Sequence, residues 1–146
     1  MICYFLRNWC YTRLRLDFIV TLLYNLKLGG DYMSKNYLLI YAEQLATDIE
    51  LLCQNIKAPS NTLFQIRKSS SSVYANIREA NYGQSRADML SKFEIALKEC
   101  SETEGWLQLL LNTKFIDEDT FKKNRNLCGR IRRMLIASCK TLKEKV

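Results

Sequence analysis

The 146-residue chain is predicted to be all-α, an antiparallel up-down-up-down four-helix bundle, on three observations. Apolar residues recur at steps of three and four along four long segments, the period of a helix face lying on a core. One proline and five glycines are too few for the turns of a β-sandwich. The breaks that do occur leave short connections, and long helices so joined must alternate in direction. With 48% apolar and 25% charged residues, the composition is that of one globular domain with a real core.

The first helix is read over 36–57, with Leu38, Tyr41, Leu45, Ile49, Leu52 and Ile56 as its stripe. Pro59 breaks it, because proline disfavours helical geometry in the residue before it. The second helix starts at 60–62, where Thr62 and Gln65 have capping-box spacing. Its inner stripe is Leu63, Ile66, Ser70, Val73, Ile77 and Ala80. The run Ser69-Ser70-Ser71-Ser72 is poor helix material, but small side chains let two helices approach closely. The sharper reading of the run, a catalytic serine, lacks a histidine base anywhere in the chain and lacks nucleophile-elbow glycines.

Gly83 is placed to terminate the second helix, and Ser85 with Asp88 forms the next capping box. The third helix then runs to Thr113, roughly 40 Å at 1.5 Å per residue. Its apolar residues include Phe93, Leu97, Cys100, Trp106, Leu107 and Leu110. Acids at 117–119 open the fourth helix, and Lys140, Lys143 and Lys145 close it, both in favour of the helix dipole. Phe121, Cys128, Ile131, Leu135 and Leu142 form its buried stripe.

Residues 1–32 have a different character. Their apolar run, 18–24, is too short to span a bilayer, and no small-residue cleavage site follows it. Gly29-Gly30-Asp31 can be encoded by a strong bacterial ribosome-binding site at a suitable distance before the Met33 codon. The domain is therefore expected to be 33–146, with 1–32 a translated leader or marginal helix. No membrane partner is expected, and the place of action is cytoplasmic.

Six cysteines include no C-x-x-C pair, so neither a structural zinc nor another metal or cofactor is expected. Cys53, Cys100, Cys128 and Cys139 fall on or near apolar stripes and read as reduced core residues. Glu99 and Glu102 lie one turn apart near the apolar stripe of the third helix. A di-iron bundle would also need a Glu-x-x-His element that this chain cannot supply. An internal ion pair with Arg78 or Arg67 is the expected use. Asn76 is expected to make a hydrogen bond between helices. No glycine-rich phosphate loop is present, and no enzymatic activity is expected.

The charge signal is concentrated in the fourth helix. The chain carries a net charge of +7, and from Thr120 onward nine Lys or Arg residues face one acid, Glu144. At about 100° per residue, Lys122, Arg125, Arg132, Arg133, Lys140 and Lys143 share roughly a third of the circumference. Arg125, Arg132 and Arg133 are expected to project away from the core. Such a stripe suits a phosphate backbone, or is simply a solvated face. Tyr37, Tyr41, Phe64, Tyr74 and Trp106 exceed what one core accommodates, and some are expected at subunit contacts.

Two longer motifs carry a family resemblance. One is Gln65 through Ala80, with a Gln-x-Arg start, a small-residue run and then Ala75, Asn76 and Glu79. The other is Ile95-Ala96-Leu97-Lys98-Glu99 through Trp106-Leu107, with Phe115-Ile116 beyond it. Over 38–142 the chain resembles the bacterial four-helix-bundle proteins known as ribosomal-RNA intervening-sequence proteins. Arg78-Glu79-Ala80 is similar to the branch containing the accessory variability determinant of diversity-generating retroelements. Ser70 and Tyr74 depart from the family, which often carries glycine there. The resemblance implies a homo-oligomer, a pentameric ring, without known enzymatic activity. For the retroelement branch it implies binding of RNA or DNA and of a reverse transcriptase. The competing expectation is a protein-interaction adaptor whose basic face docks an acidic partner.

Overall fold

The computed structural model describes residues 36–144. The leader, the Met33 start, Cys3, Cys10 and Lys145 lie outside the described residues. Four helices, and among the described residues no strands, make up the fold: α1 Tyr37–Asn55, α2 Ser60–Ala80, α3 Arg86–Asn112 and α4 Glu118–Glu144. Helix α1 packs against α2 and α4, and α3 packs against the same two, so the four close around one core. Leu45, Ile49, Ile66, Val73, Ile77, Leu107, Leu110, Ile131 and Leu135 fill it, each essentially removed from water. Among the described residues no helix is long and apolar enough to cross a membrane.

The helix ends explain the connections. The Asn36 side chain accepts the Leu39 amide at 3.1 Å and caps α1. Helix α1 stops at Asn55, earlier than expected, because Ile56 turns extended and packs with Ala58 against the core. The predicted Thr62–Gln65 capping box is not used. Helix α2 begins at Ser60 behind Pro59, whose fixed φ suits a helix entry and whose carbonyl accepts the Leu63 amide at 3.1 Å. Ser85 does cap α3, accepting the Asp88 amide at 3.1 Å. The Asp88 carboxylate, however, accepts from Gln84 at 3.2 Å rather than closing the box on Ser85.

Asp117 caps α4 by accepting the Thr120 amide at 2.8 Å. Hydrogen bonds from Thr120 hold the Asp117 carboxyl below the usual carboxylate range. A depressed value means the cap's contribution is present above the ordinary carboxylate pKa and is lost as pH falls through the lowered one.

Gly83 works differently from its predicted role. It has no positive φ, so it supplies no left-handed C-cap. A side chain there would instead bring a Cβ within 3.3 Å of the Ala80 carbonyl, the Asp88 carboxylate and the Met89 amide. Glycine lets α2 and the start of α3 approach. The left-handed position belongs to Lys114, at φ 61°. There the Phe115 amide reaches the Leu110 carbonyl and the Lys114 amide reaches Leu111, both at 2.9 Å, the paired bonds of a Schellman motif. A side chain strains this geometry. Lys114→Gly is expected to raise the unfolding free energy by about 0.5–1 kcal/mol, read from urea unfolding.

The serine run does what its size predicts. Ser69 and Ser70 are buried. The Thr103 hydroxyl of α3 lies 2.9 Å from Ser69 Oγ and 2.9 Å from the Glu99 carbonyl, an interhelical bond inside the core. Ser69, Ser70 and Ser71 each donate to the carbonyl three residues back, which satisfies them within α2.

Candidate functional site

Neighbouring helices divide the basic face of α4. Its core-facing line, Asn124, Ile131 and Leu135, fixes which cations lie at the flanks. On the α3 side, Arg132 pairs with Glu104 and Lys143 pairs with Glu94 at 2.8 Å. On the α1 side, Lys123 pairs with Asp48 at 3.1 Å, and the Arg130 guanidinium sits 5.9 Å from the Tyr41 ring centroid. Lys122 and Lys140 face outward and, among the described residues, pair with Glu118 and Glu144, one turn away on α4, at 3.7 Å each. Such exposed pairs contribute about 0–1 kcal/mol.

On α4, three arginines have no ion pair with an acid among the described residues: Arg125, Arg130 and Arg133. Arg125 lies 5.7 Å from the Phe121 ring centroid, which holds the guanidinium without cancelling its charge. Arg133 is exposed and folds back over Gly129, where an added Cβ would be 3.6 Å from its Nη1.

This arrangement corrects one expectation. Arg132 does not project freely. It reaches over the buried Cys100 and Cys128 to a Glu104 that is only 17% exposed. Contact with Cys100, together with burial, pushes the Cys128 thiol far above its ordinary range, and Cys100 Sγ–H donates to the Cys128 carbonyl at 3.4 Å. Cys53 and Cys139 are also buried, and desolvation raises both thiols.

The α2 and α3 motif residues do not form a buried polar cluster. Glu99 makes no side-chain ion pair among the described residues, and Glu102 is exposed and accepts from the Trp106 indole at 3.2 Å. Arg67 pairs instead with Glu50 of α1 at 3.1 Å. Arg78 donates to the Tyr74 hydroxyl at 2.6 Å, which raises its pKa, with its guanidinium 5.9 Å from that ring. The internal pair is therefore Glu104–Arg132, because Glu104 is the acid on the α4 side of α3. Asn76 bonds within its own helix, donating to the Ser72 carbonyl at 2.9 Å, because Ser72 offers an acceptor one turn back. Glu79 takes Lys92 of α3 at 2.5 Å, which raises the lysine pKa.

The sequence profile of the 23S rRNA-intervening sequence proteins matches residues 38–137, most of the described chain. This chain belongs to that family. A comparison with curated proteins finds no match. Among solved structures, a protein of unknown function from the S23 ribosomal protein family of Bacteroides thetaiotaomicron is 37% identical, with a TM-score of 0.68. The likeness covers 70% of this chain and 98% of that one. The matched span of the intervening-sequence family runs from Leu38, at the start of α1, to Ala137 in α4, so it takes in Arg125, Arg130 and Arg133.

Proposed function

We propose that this member of the 23S rRNA-intervening sequence family is a non-enzymatic, cytoplasmic protein. In this reading it forms an antiparallel bundle, assembles as a homopentameric ring, and binds nucleic acid through the outer face of α4. Side-chain pairs support the antiparallel course. Asn36 meets Asn81 while Glu50 meets Arg67, and Glu94 meets Lys143 while Glu104 meets Arg132. On α1 and α4, Tyr41 meets Arg130 while Asp48 meets Lys123. In every case rising numbers on one helix meet falling numbers on the other. Leu51 and Phe64, both more than half exposed on adjoining helices, are the apolar surface for self-association.

The observation that carries the function is the retention of Arg125, Arg130 and Arg133 without acids while the flanking cations are internally paired. Lys122 and Lys140 extend that ridge, and Arg132 and Lys143 border it from paired positions. In a ring the ridge repeats, so weak phosphate contacts add through multivalency. The similarity of Arg78-Glu79-Ala80 to the retroelement branch supports a reverse transcriptase as protein partner.

Replacing Arg125, Arg130 and Arg133 together by glutamine is expected to lower RNA and DNA affinity more than tenfold at physiological salt and to flatten its salt dependence. Helicity and the light-scattering mass of five protomers should stay unchanged. No nucleic-acid affinity in the parent protein would favour the adaptor reading, in which the ridge docks an acidic protein. An unchanged salt slope in the variant would place any binding elsewhere.

A further inference from the structure

We infer that the α1–α4 face takes a single-stranded nucleic acid by stacking an unpaired base on Tyr37. This rests on the nucleic-acid reading above and narrows its ligand. Tyr37 opens α1 with 53% of its surface exposed. Its ring centroid lies 6.2 Å from that of Tyr41, tilted by 37°. Tyr41 is half-buried against the core and carries Arg130 at 5.9 Å. The three groups form a row: an exposed ring, a supporting ring fixed by packing, and a cation.

That row matches the chemistry of an unpaired strand, whose bases and phosphates are both accessible. Base–aromatic stacking tolerates any sequence, because every base has a π-face, and a nearby arginine serves the phosphate. A duplex keeps its bases stacked inside and offers only phosphates to such a surface. The pairings Asp48–Lys123 and Tyr41–Arg130 show the direction in which α4 passes α1. Moving one turn from Tyr41 to Tyr37 therefore moves along α4 from Arg130 toward Arg133. The stacking ring and the two acid-free arginines share one edge. Asp48, an acid on this edge, is held by Lys123 at 3.1 Å, so its repulsion of a phosphate is offset.

The test uses the full chain and fluorescently labelled oligonucleotides of mixed sequence: a single strand in ribose and deoxyribose forms, its duplex, and an abasic strand with the same number of phosphates. The parent protein should hold the single strand about tenfold tighter than the abasic strand or the duplex. Tyr37→Ala should remove that advantage while leaving duplex affinity and light-scattering mass unchanged, and Tyr37→Trp should keep it. Equal affinity for all ligands, with Tyr37→Ala silent, overturns stacking and leaves the phosphate reading standing. No binding to any ligand overturns both. A change of mass in Tyr37→Ala makes the ring a contact between copies and overturns stacking.

Discussion

Replacing Arg132 by methionine is expected to lower the unfolding free energy by about 2 kcal/mol, a value between those of surface and buried pairs. Glu104 is mostly shielded from water and Arg132 remains 42% exposed, so neither extreme applies. The cost comes from the acid left behind. Its Oε1 already has no hydrogen-bond partner, and without the guanidinium the carboxylate would face Cys100 and Cys128 alone. Replacing both members, Arg132→Met with Glu104→Leu, should recover most of the loss, since the uncompensated charge disappears with its partner. Urea unfolding at one fixed protein concentration reads both, because self-association makes stability depend on concentration. A single substitution costing less than about 0.5 kcal/mol would show the pair to be effectively solvated. Nucleic-acid affinity should change far less here than in the triple variant, which separates a positioning arginine from the binding ridge.

The same pair marks where the sequence stops being legible. Periodicity locates four helices because each stripe is a property of its own segment, and the Ser85 cap and the acids that open α4 are equally local. Which acid meets which base is decided between segments. Glu99 and Glu104 look alike along α3, and only the placement of α4 beside the second makes it the buried partner. The α4 ridge had the same weakness. A helical projection puts Arg132 and Arg133 on one face, but it cannot show that Glu104 holds one and leaves the other to solvent. Arg130 lies outside the stripe that the projection defines, and its place follows from Tyr41 on α1. Asn76 departs from its expected interhelical bond for the opposite reason: a local acceptor, the Ser72 carbonyl, outcompetes a distant partner.

Ser69→Leu is expected to cost about 3 kcal/mol, the upper end for overfilling a packed core. Ser69 is wholly buried, and its oxygen is 2.9 Å from the Thr103 hydroxyl, so the two helices meet at hydrogen-bonding distance with no room for three added carbons. Leucine would drive α2 from α3 or force side chains off their rotamers. Thr103 would keep only its own-helix bond to the Glu99 carbonyl. Helix propensity works in the opposite direction, since leucine is the better helix former. Ser71 provides the control: it is exposed on the same helix and bonds its own backbone in the same way, so Ser71→Leu carries the propensity gain without the clash. The prediction is therefore a difference. Urea midpoints should fall sharply for Ser69→Leu and hold or rise for Ser71→Leu. If both fall equally, the serine run stabilises α2 through its backbone bonds. If neither falls, the two helices have slack that a 2.9 Å contact does not allow.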